Sequence, residues 1–315
     1  MSFADLLNEI SNPDCVTGCN KEKRKEIAEN DLCSKVNSAI DQLSVRCVGE
    51  HAVQKIHFLI QYFGIFATGM HTKWNNKINY IEICSGPGRC INRKTGDEFN
   101  GTALAILEHP SFKYLNKALF FDADTSVISA LTERINSRNI SNAFVHYGDY
   151  NNDTDICRKL VEEISKDSLN LIFIDPTDCS VPFQLIKSLK EVIPNMDLII
   201  NVASGTDFNR NIGSALMDQG KYKNSIAKYA QFLDGMDFFE NPDNLVKAQQ
   251  GKYMELRNLF REYYRINLLE IGYRFFKFNS VANFYDLLFA TSHERGIDFW
   301  EKATRIRFDG QRKLF

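Results

Sequence analysis

From Asn79 to Val202 short apolar runs alternate with stretches of helical periodicity, and no other feature of the chain restricts its fold as much. The runs are Tyr80–Cys84, Ala118–Phe121, Ala143–Tyr147, Leu169–Ile174 and Met196–Val202. Between them Thr102–Leu107, Ser126–Ser137, Thr154–Ser165 and Val181–Val192 carry the helix period. Strand alternating with helix predicts parallel βαβ units with right-handed crossovers. A parallel strand covered on both faces must be apolar almost throughout, as Leu171-Ile172-Phe173-Ile174 is. Two later runs, Tyr273–Phe278 and Phe284–Thr291, flank the turn-prone Asn279–Asn283 and predict a closing antiparallel hairpin.

Three segments stand outside this rhythm. Residues 1–75 read as an N-terminal helical segment, because Ala28–Leu43 and His51–Phe66 place apolar residues at helical spacing. In the second of these Val53, Ile56, Leu59, Ile60 and Phe63 share a face, whereas Lys21–Asp31 is charge-dense and reads as a solvated helix face. Residues 207–270 read as a helical insertion, aromatic and charged, within an α/β domain spanning 76–305, and 306–315 form a tail.

Bulk properties exclude several classes. With 315 residues and a formal net charge of −2, the chain as a whole is no basic nucleic-acid clamp, which leaves room only for a local basic patch. Met1–Ile10 lacks the basic-then-apolar pattern of a secretory leader. The longest apolar stretch, Phe58–Met70, is interrupted by Gln61, Gly64 and Gly69 and is too short to span a bilayer. We therefore expect a cytoplasmic protein without membrane contact. The eight cysteines are scattered, which fits reduced thiols better than a disulfide framework. Cys15 and Cys19 form a Cys-x3-Cys pair near Cys33, but no further ligands follow at zinc-like spacing, and no metal is expected.

The first apolar run ends in Glu82-Ile83-Cys84-Ser85-Gly86-Pro87-Gly88. An acid followed by G-x-G after a buried strand suits a nucleotide: glycine lets the backbone turn sharply and approach a ligand that a Cβ would exclude. Acids recur at the ends of the next three runs. Asp122, with Asp124 two residues on, follows the second; Asp149 follows the third; Asp175-Pro176-Thr177 follows the fourth. A helix cap explains one such acid, but four on the ligand-binding edge of an α/β sheet point to a site. Where a helix would be expected directly after the turn, Arg89–Asn100 intervenes, rich in charge. Arg89, Arg93 and Lys94 could meet phosphates there, or the segment is a solvated insertion.

Five parallel strands closed by a hairpin, with that turn, resemble the Rossmann-like sheet of class I methyltransferases, mostly parallel with an antiparallel last strand. That resemblance implies S-adenosylmethionine as cofactor, with Glu82, Gly86, Gly88, Asp122, Asp124 and Asp149 around it. More narrowly, I-E-I-C-S-G-P-G-R-C-I-N-R-K-T-G-D-E-F-N-G-T-A-L-A-I-L over Ile81–Leu107 resembles the three-Cys-motif partner family, TcmP. Asp175-Pro176-Thr177, Asp207–Asn211, Tyr285–His293 and the leading helix His51–Phe66 fit the same family, so that the resemblance covers roughly residues 48–305. The chain departs from it in carrying Cys84-Ser85 where Phe-Ala is usual. Family members are named for a neighbour, a separate radical-SAM-like protein that carries the three cysteines; Cys15, Cys19 and Cys33 are not that motif.

For methyl transfer to a nitrogen, Asp175 is the candidate catalytic carboxylate, with Arg210 past the fifth strand as a candidate for positioning substrate or phosphate. Thr177 and Asp178 stand where an amino-methyltransferase would carry a second proline and a stacking aromatic. His146, His293, Cys84 and Cys90 read as structural residues. Two functions follow as expectations. One is a methyltransferase acting on DNA or RNA in a modification or phage-defence setting, together with a three-Cys-motif partner. The other is a methyltransferase-shaped scaffold that only binds that partner or a nucleotide. The Pro in Gly86-Pro87-Gly88 and the closing hairpin disfavour a dehydrogenase.

Overall fold

The computed structural model describes residues 1–15 and 32–306. In chain order its elements are α1 (Phe3–Leu7), β1 (Ile10–Ser11), β2 (Leu32–Asn37), β3 (Ser44–Val48), α2 (His51–Met70), β4 (Ile78–Ile83), β5 (Arg89–Asn92), β6 (Asp97–Asn100), α3 (Thr102–Leu107), β7 (Lys117–Asp122), α4 (Thr125–Asn136), β8 (Ala143–Tyr147), α5 (Thr154–Glu163), β9 (Leu169–Ile174), α6 (Phe183–Val192) and β10 (Met196–Val202). There follow α7 (Asn209–Met217), α8 (Lys223–Phe232), α9 (Asp237–Glu240), α10 (Pro242–Gln249), α11 (Tyr253–Glu270), β11 (Phe275–Val281), β12 (Tyr285–Thr291) and α12 (Glu294–Arg305). Two compact units are formed: Met1–Asp149 with Asp167–Phe173 and Asp298–Phe315, and Tyr150–Lys166 with Ile174–Ile297.

In the first unit the parallel strands lie in the order β9-β4-β7-β8. β4 pairs with β7 in parallel, Ile81 opposite Leu119, and β7 with β8, Leu119 opposite Phe144. Every residue of β4 is buried, as expected of a strand covered on both faces. Ile56, Leu59, Ile60, Phe63 and Phe66 of α2 are buried as well. In the second unit β12 pairs antiparallel with both β10 and β11, Leu288 facing Ile200 on one side and Phe278 on the other. The helices between β10 and β11 gather aromatic rings into a core of their own. Phe232 stacks on Phe260 with centroids 5.4 Å apart, and Phe208 meets Phe260 at 4.0 Å. The chain is thus an α/β protein with parallel strands first and an antiparallel last strand, as the alternation predicts.

The N-terminal segment corrects the expectation of helices throughout residues 1–75. Among the described residues of that segment α1 and α2 are helical, whereas β1, β2 and β3 join β5 and β6 in a second sheet ordered β1-β6-β5-β3-β2. Within Ala28–Leu43, residues 32–37 are strand. Lys21–Asp31 and Cys19 lie outside the described residues. The charged stretch after the glycine turn is likewise no solvated loop. Arg89–Asn92 and Asp97–Asn100 form an antiparallel hairpin, turned at Gly96 with φ +80°, and β5 pairs in parallel with β3. Among the described residues no helix is long and apolar enough to cross a membrane.

Candidate functional site

Within the first unit, the chain leaves β4 through a turn that uses the left-handed region three times. Cys84 has φ +64°, Gly86 +67° and Gly88 +95°. Cysteine in that region is strained by its Cβ, and the surrounding hydrogen bonds must hold it there. Ser85 N donates to Phe121 O at 3.0 Å, and Gly101 N to Gly88 O at 2.7 Å. The buried guanidinium of Arg134, on α4, donates to Pro87 O at 2.5 Å and Ser44 O at 2.9 Å, and pairs with both carboxylate oxygens of Asp41. Arg134 thus staples the turn to the segment before β3. The Ser85 hydroxyl is buried without a hydrogen-bond partner among the described residues. Such an atom normally finds one.

The acids at the strand ends divide by role. Glu82 is fully buried and accepts from the hydroxyls of Tyr80 (2.8 Å) and Thr102, the first residue of α3. These contacts brace the start of α3. Asp122, at the end of β7, accepts Gly86 N at 3.0 Å and Asp124 N at 3.1 Å, and Arg46 Nη2 of β3 stands 4.0 Å from it. The structure therefore brings Gly86 and Asp122 into direct contact. Asp124 caps α4 through Ser126 N (2.8 Å) and Val127 N (3.4 Å). Burial works against its charge, but the hydrogen bonds from Ser126 and Val127 and the charge of Arg46 prevail, and its carboxyl is held below the ordinary value. Gly148 N donates to Asp122 O at 3.0 Å, which fixes the end of β8 to that of β7 and places half-buried Asp149 directly after it.

Arg89, Arg93 and Lys94 are not a phosphate-facing cluster. Arg89 is 1% exposed, pairs with Glu98, and donates to Asn100 Oδ1 at 2.8 Å. Glu98 also accepts from the Ser38 hydroxyl (2.5 Å), Ala39 N (2.8 Å) and Asn12 Nδ2 (3.0 Å). Burial would push its carboxyl up; the bonds from Ser38 and Ala39 and the Arg89 charge reverse that and hold it below the ordinary value. Arg93 donates to Cys47 O at 3.1 Å, and Lys94 pairs with Glu50 on the surface. A charge run reads as solvated from sequence because nothing local reveals that Arg89 and Glu98 will face each other across a hairpin.

In the second unit Asp175 accepts from Asn201 Nδ2, at the end of β10, at 2.9 Å. Asp207 lies in the π turn Ser204–Phe208, where it pairs with Lys228 at 2.6 Å and accepts Cys179 N at 3.1 Å. Lys228 also reaches Asp178 at 3.1 Å. Arg210 is exposed on the first turn of α7. Asp286, fully buried, pairs with Arg257 (3.1 Å) and Arg261 (2.6 Å) and accepts from Ser204, which secures the π turn.

Sequence reasoning missed Thr102, Arg134 and Arg46. The alternation of Ser44-Val45-Arg46-Cys47-Val48, whose second and fourth residues are buried, was the available signal for β3 and hence for Arg46. No family model and no curated protein matches the chain. Among solved structures it resembles human methyltransferase-like protein 13 in complex with SAH, at 13% identity and TM-score 0.41, over 84% of this chain and 96% of that one. It also resembles a SAM-dependent methyltransferase from Aquifex aeolicus, at 13% identity and TM-score 0.33 over 71% and 88% of the two chains. A third is the B. subtilis M1A22 tRNA methyltransferase TrmK, at 11% identity and TM-score 0.35 over 73% and 67%.

Proposed function

We propose that the chain is an S-adenosylmethionine-dependent methyltransferase. One observation carries this reading. In the first unit the order β9-β4-β7-β8 reverses at β4, and the glycine turn leaves β4 where Asp122 of the neighbouring strand accepts Gly86 N. Open α/β sheets bind nucleotides at such a reversal, beyond the carboxyl ends of the strands. The residues present fit the cofactor. The Ser85 hydroxyl, buried and without a hydrogen-bond partner among the described residues, lies within the turn, and Asp122, Asp124 and Asp149 stand at the ends of β7 and β8. We assign Asp122 and Asp124 to the ribose hydroxyls, Asp149 to the adenine amino group, and Glu82 to positioning the turn through Thr102. The cofactor, when bound, supplies an electrophilic methyl group. Asp175 is then the acid that holds the acceptor nitrogen, oriented by Asn201, and Arg210 is the exposed cation available to a substrate phosphate.

The resemblance of Ile81–Leu107 to TcmP supports DNA or RNA as acceptor, in a modification or defence setting with a three-Cys-motif partner. A second reading, a non-catalytic scaffold for that partner, is favoured by the salt bridge that ties Asp178 to Lys228 where an amino-methyltransferase would present a stacking ring. Calorimetric titration with S-adenosylmethionine and S-adenosylhomocysteine, with NAD as control, tests the cofactor. Saturable binding that weakens in Asp149→Ala is expected, and the absence of binding refutes the methyltransferase reading. Loss of methyl incorporation into nucleic acid in Asp175→Ala, with binding intact, separates enzyme from scaffold.

A further inference from the structure

The guanidinium of Arg46 lies against the glycine turn. A Cβ placed on Gly86 would meet Arg46 Cζ and Nη1 at 3.4 Å and Nε at 3.7 Å, so the guanidinium plane lies against the bare face of the turn's glycine. Its Nη2 is 4.0 Å from Asp122 Oδ2, within the range of charge attraction and beyond that of a hydrogen bond. The carboxylate of Asp122 meanwhile takes Gly86 N and Asp124 N. Only 17% of the Arg46 side chain is exposed. The residue comes from β3, and Arg46 is held opposite Cys90 of β5 by the parallel pairing of the second sheet. An addition to the α/β frame thus sets a largely buried positive charge on the glycine turn, beside the acids of β7.

We propose that Arg46 is the carboxylate-recognising residue of the nucleotide site, selecting a nucleoside that carries an amino acid over the same nucleoside without its carboxylate. The inference rests on the cofactor reading above. Ribose and adenine are neutral, so a guanidinium at the turn gains nothing from them. The carboxylate of the methionyl moiety is the group that matches it, and guanidinium–carboxylate hydrogen bonds are among the strong ones. A second, desolvated anion beside Asp122 would be opposed without Arg46 and is compensated with it. Ser85 supplies a second polar atom in the same turn, buried and without a partner among the described residues.

The test compares S-adenosylmethionine with decarboxylated S-adenosylmethionine, which keeps the adenosine, the sulfonium and the amine. Both are titrated into wild type, Arg46→Met and Arg46→Lys, with circular dichroism as the folding control. Wild type is expected to prefer the carboxylated ligand by about 10- to 100-fold, the worth of one charge-assisted hydrogen bond. In Arg46→Met the preference should collapse to within about threefold through weaker binding of the carboxylated ligand alone, and Arg46→Lys should restore part of it. The wild-type comparison needs no variant, so a misfolded Arg46→Met leaves it decisive. Equal affinity of wild type for the two ligands, or a preference that survives Arg46→Met, overturns the role of Arg46 and leaves the cofactor reading standing. Binding of neither ligand to wild type removes the cofactor reading, and the role of Arg46 with it.

Discussion

Replacing Arg89 by Met should destabilise the first unit severely while sparing any interaction with nucleic acid. The guanidinium is 1% exposed and its partner Glu98 is fully buried. Removing one member of a buried pair leaves the other charge uncompensated, at a cost of about 3–5 kcal/mol. Glu98 keeps three neutral donors, from Ser38, Ala39 and Asn12, so the lower end applies, roughly 3 kcal/mol. Asn100 Oδ1 also loses the bond from Arg89, although its amide still donates to Leu6 O at 3.0 Å and Glu108 Oε2 at 2.8 Å. Urea unfolding of wild type, Arg89→Met, Glu98→Gln and the double variant, followed by circular dichroism, gives the coupling directly. Lys94→Met serves as the reference. Its side chain is 73% exposed, and losing its pair with Glu50 should leave the midpoint where it was. A loss below about 1 kcal/mol in Arg89→Met would refute the reasoning, because only a hydrated guanidinium could be removed so cheaply, and a hydrated Arg89 would again be open to phosphate.

Three further outcomes follow from the same geometry. Gly88→Ala should cost more than Gly86→Ala in urea unfolding. Both need a left-handed φ, at about 1–2 kcal/mol for a residue with a Cβ, but only at Gly88 does that Cβ meet Leu131 Cδ1 at 3.0 Å and Leu104 Cγ at 3.1 Å. Glu98 has a folded value held below the ordinary 4.5, so its contribution is complete above pH 4.5 and is lost as pH falls through the lowered folded value. The gap in urea midpoint between wild type and Glu98→Gln should therefore be constant from pH 7 to 5 and close on further acidification; a gap that widens in acid would contradict the lowered value. Thr102→Val should weaken S-adenosylmethionine binding without unfolding the protein, because it removes a donor from the buried Glu82 carboxylate at the start of α3; unchanged affinity in calorimetry would show that Glu82 does not position the turn.

The parallel strands were legible because strands buried on both faces are nearly continuous in apolar residues: β4, β7, β9 and β10 all read directly from their composition. Gly86 and Asp122 were legible for a related reason, since a turn that must reach positive φ and an acid that closes it leave marks in the adjacent sequence. The second sheet was not legible. β1 has two residues, β2 pairs with β3 through an irregular register, and β5 and β6 bury a charged pair that imitates a solvated surface. Each becomes a strand through partners far away in the chain, and periodicity within a short window carries no information about them. Arg46 escaped for the same reason: its place depends on the parallel pairing of β3 with β5.

The bonds of Arg134 have a consequence for the order in which the chain can acquire its form. One guanidinium holds Asp41, Ser44 O and Pro87 O, so two stretches of polypeptide wait on a residue that is translated after both of them. A nascent chain stopped short of α4 contains the whole glycine turn and lacks the group that fixes its carbonyl. The turn therefore gains this bond late, once Pro87 and Arg134, 47 positions apart, have been brought together, a long-range closure of the kind that slows folding. Until then the strained Cys84 and its neighbours rest on the bonds to Phe121, Asp122 and Gly101 alone, and a ribosome pausing before α4 would display the glycine turn without its tie to the segment before β3.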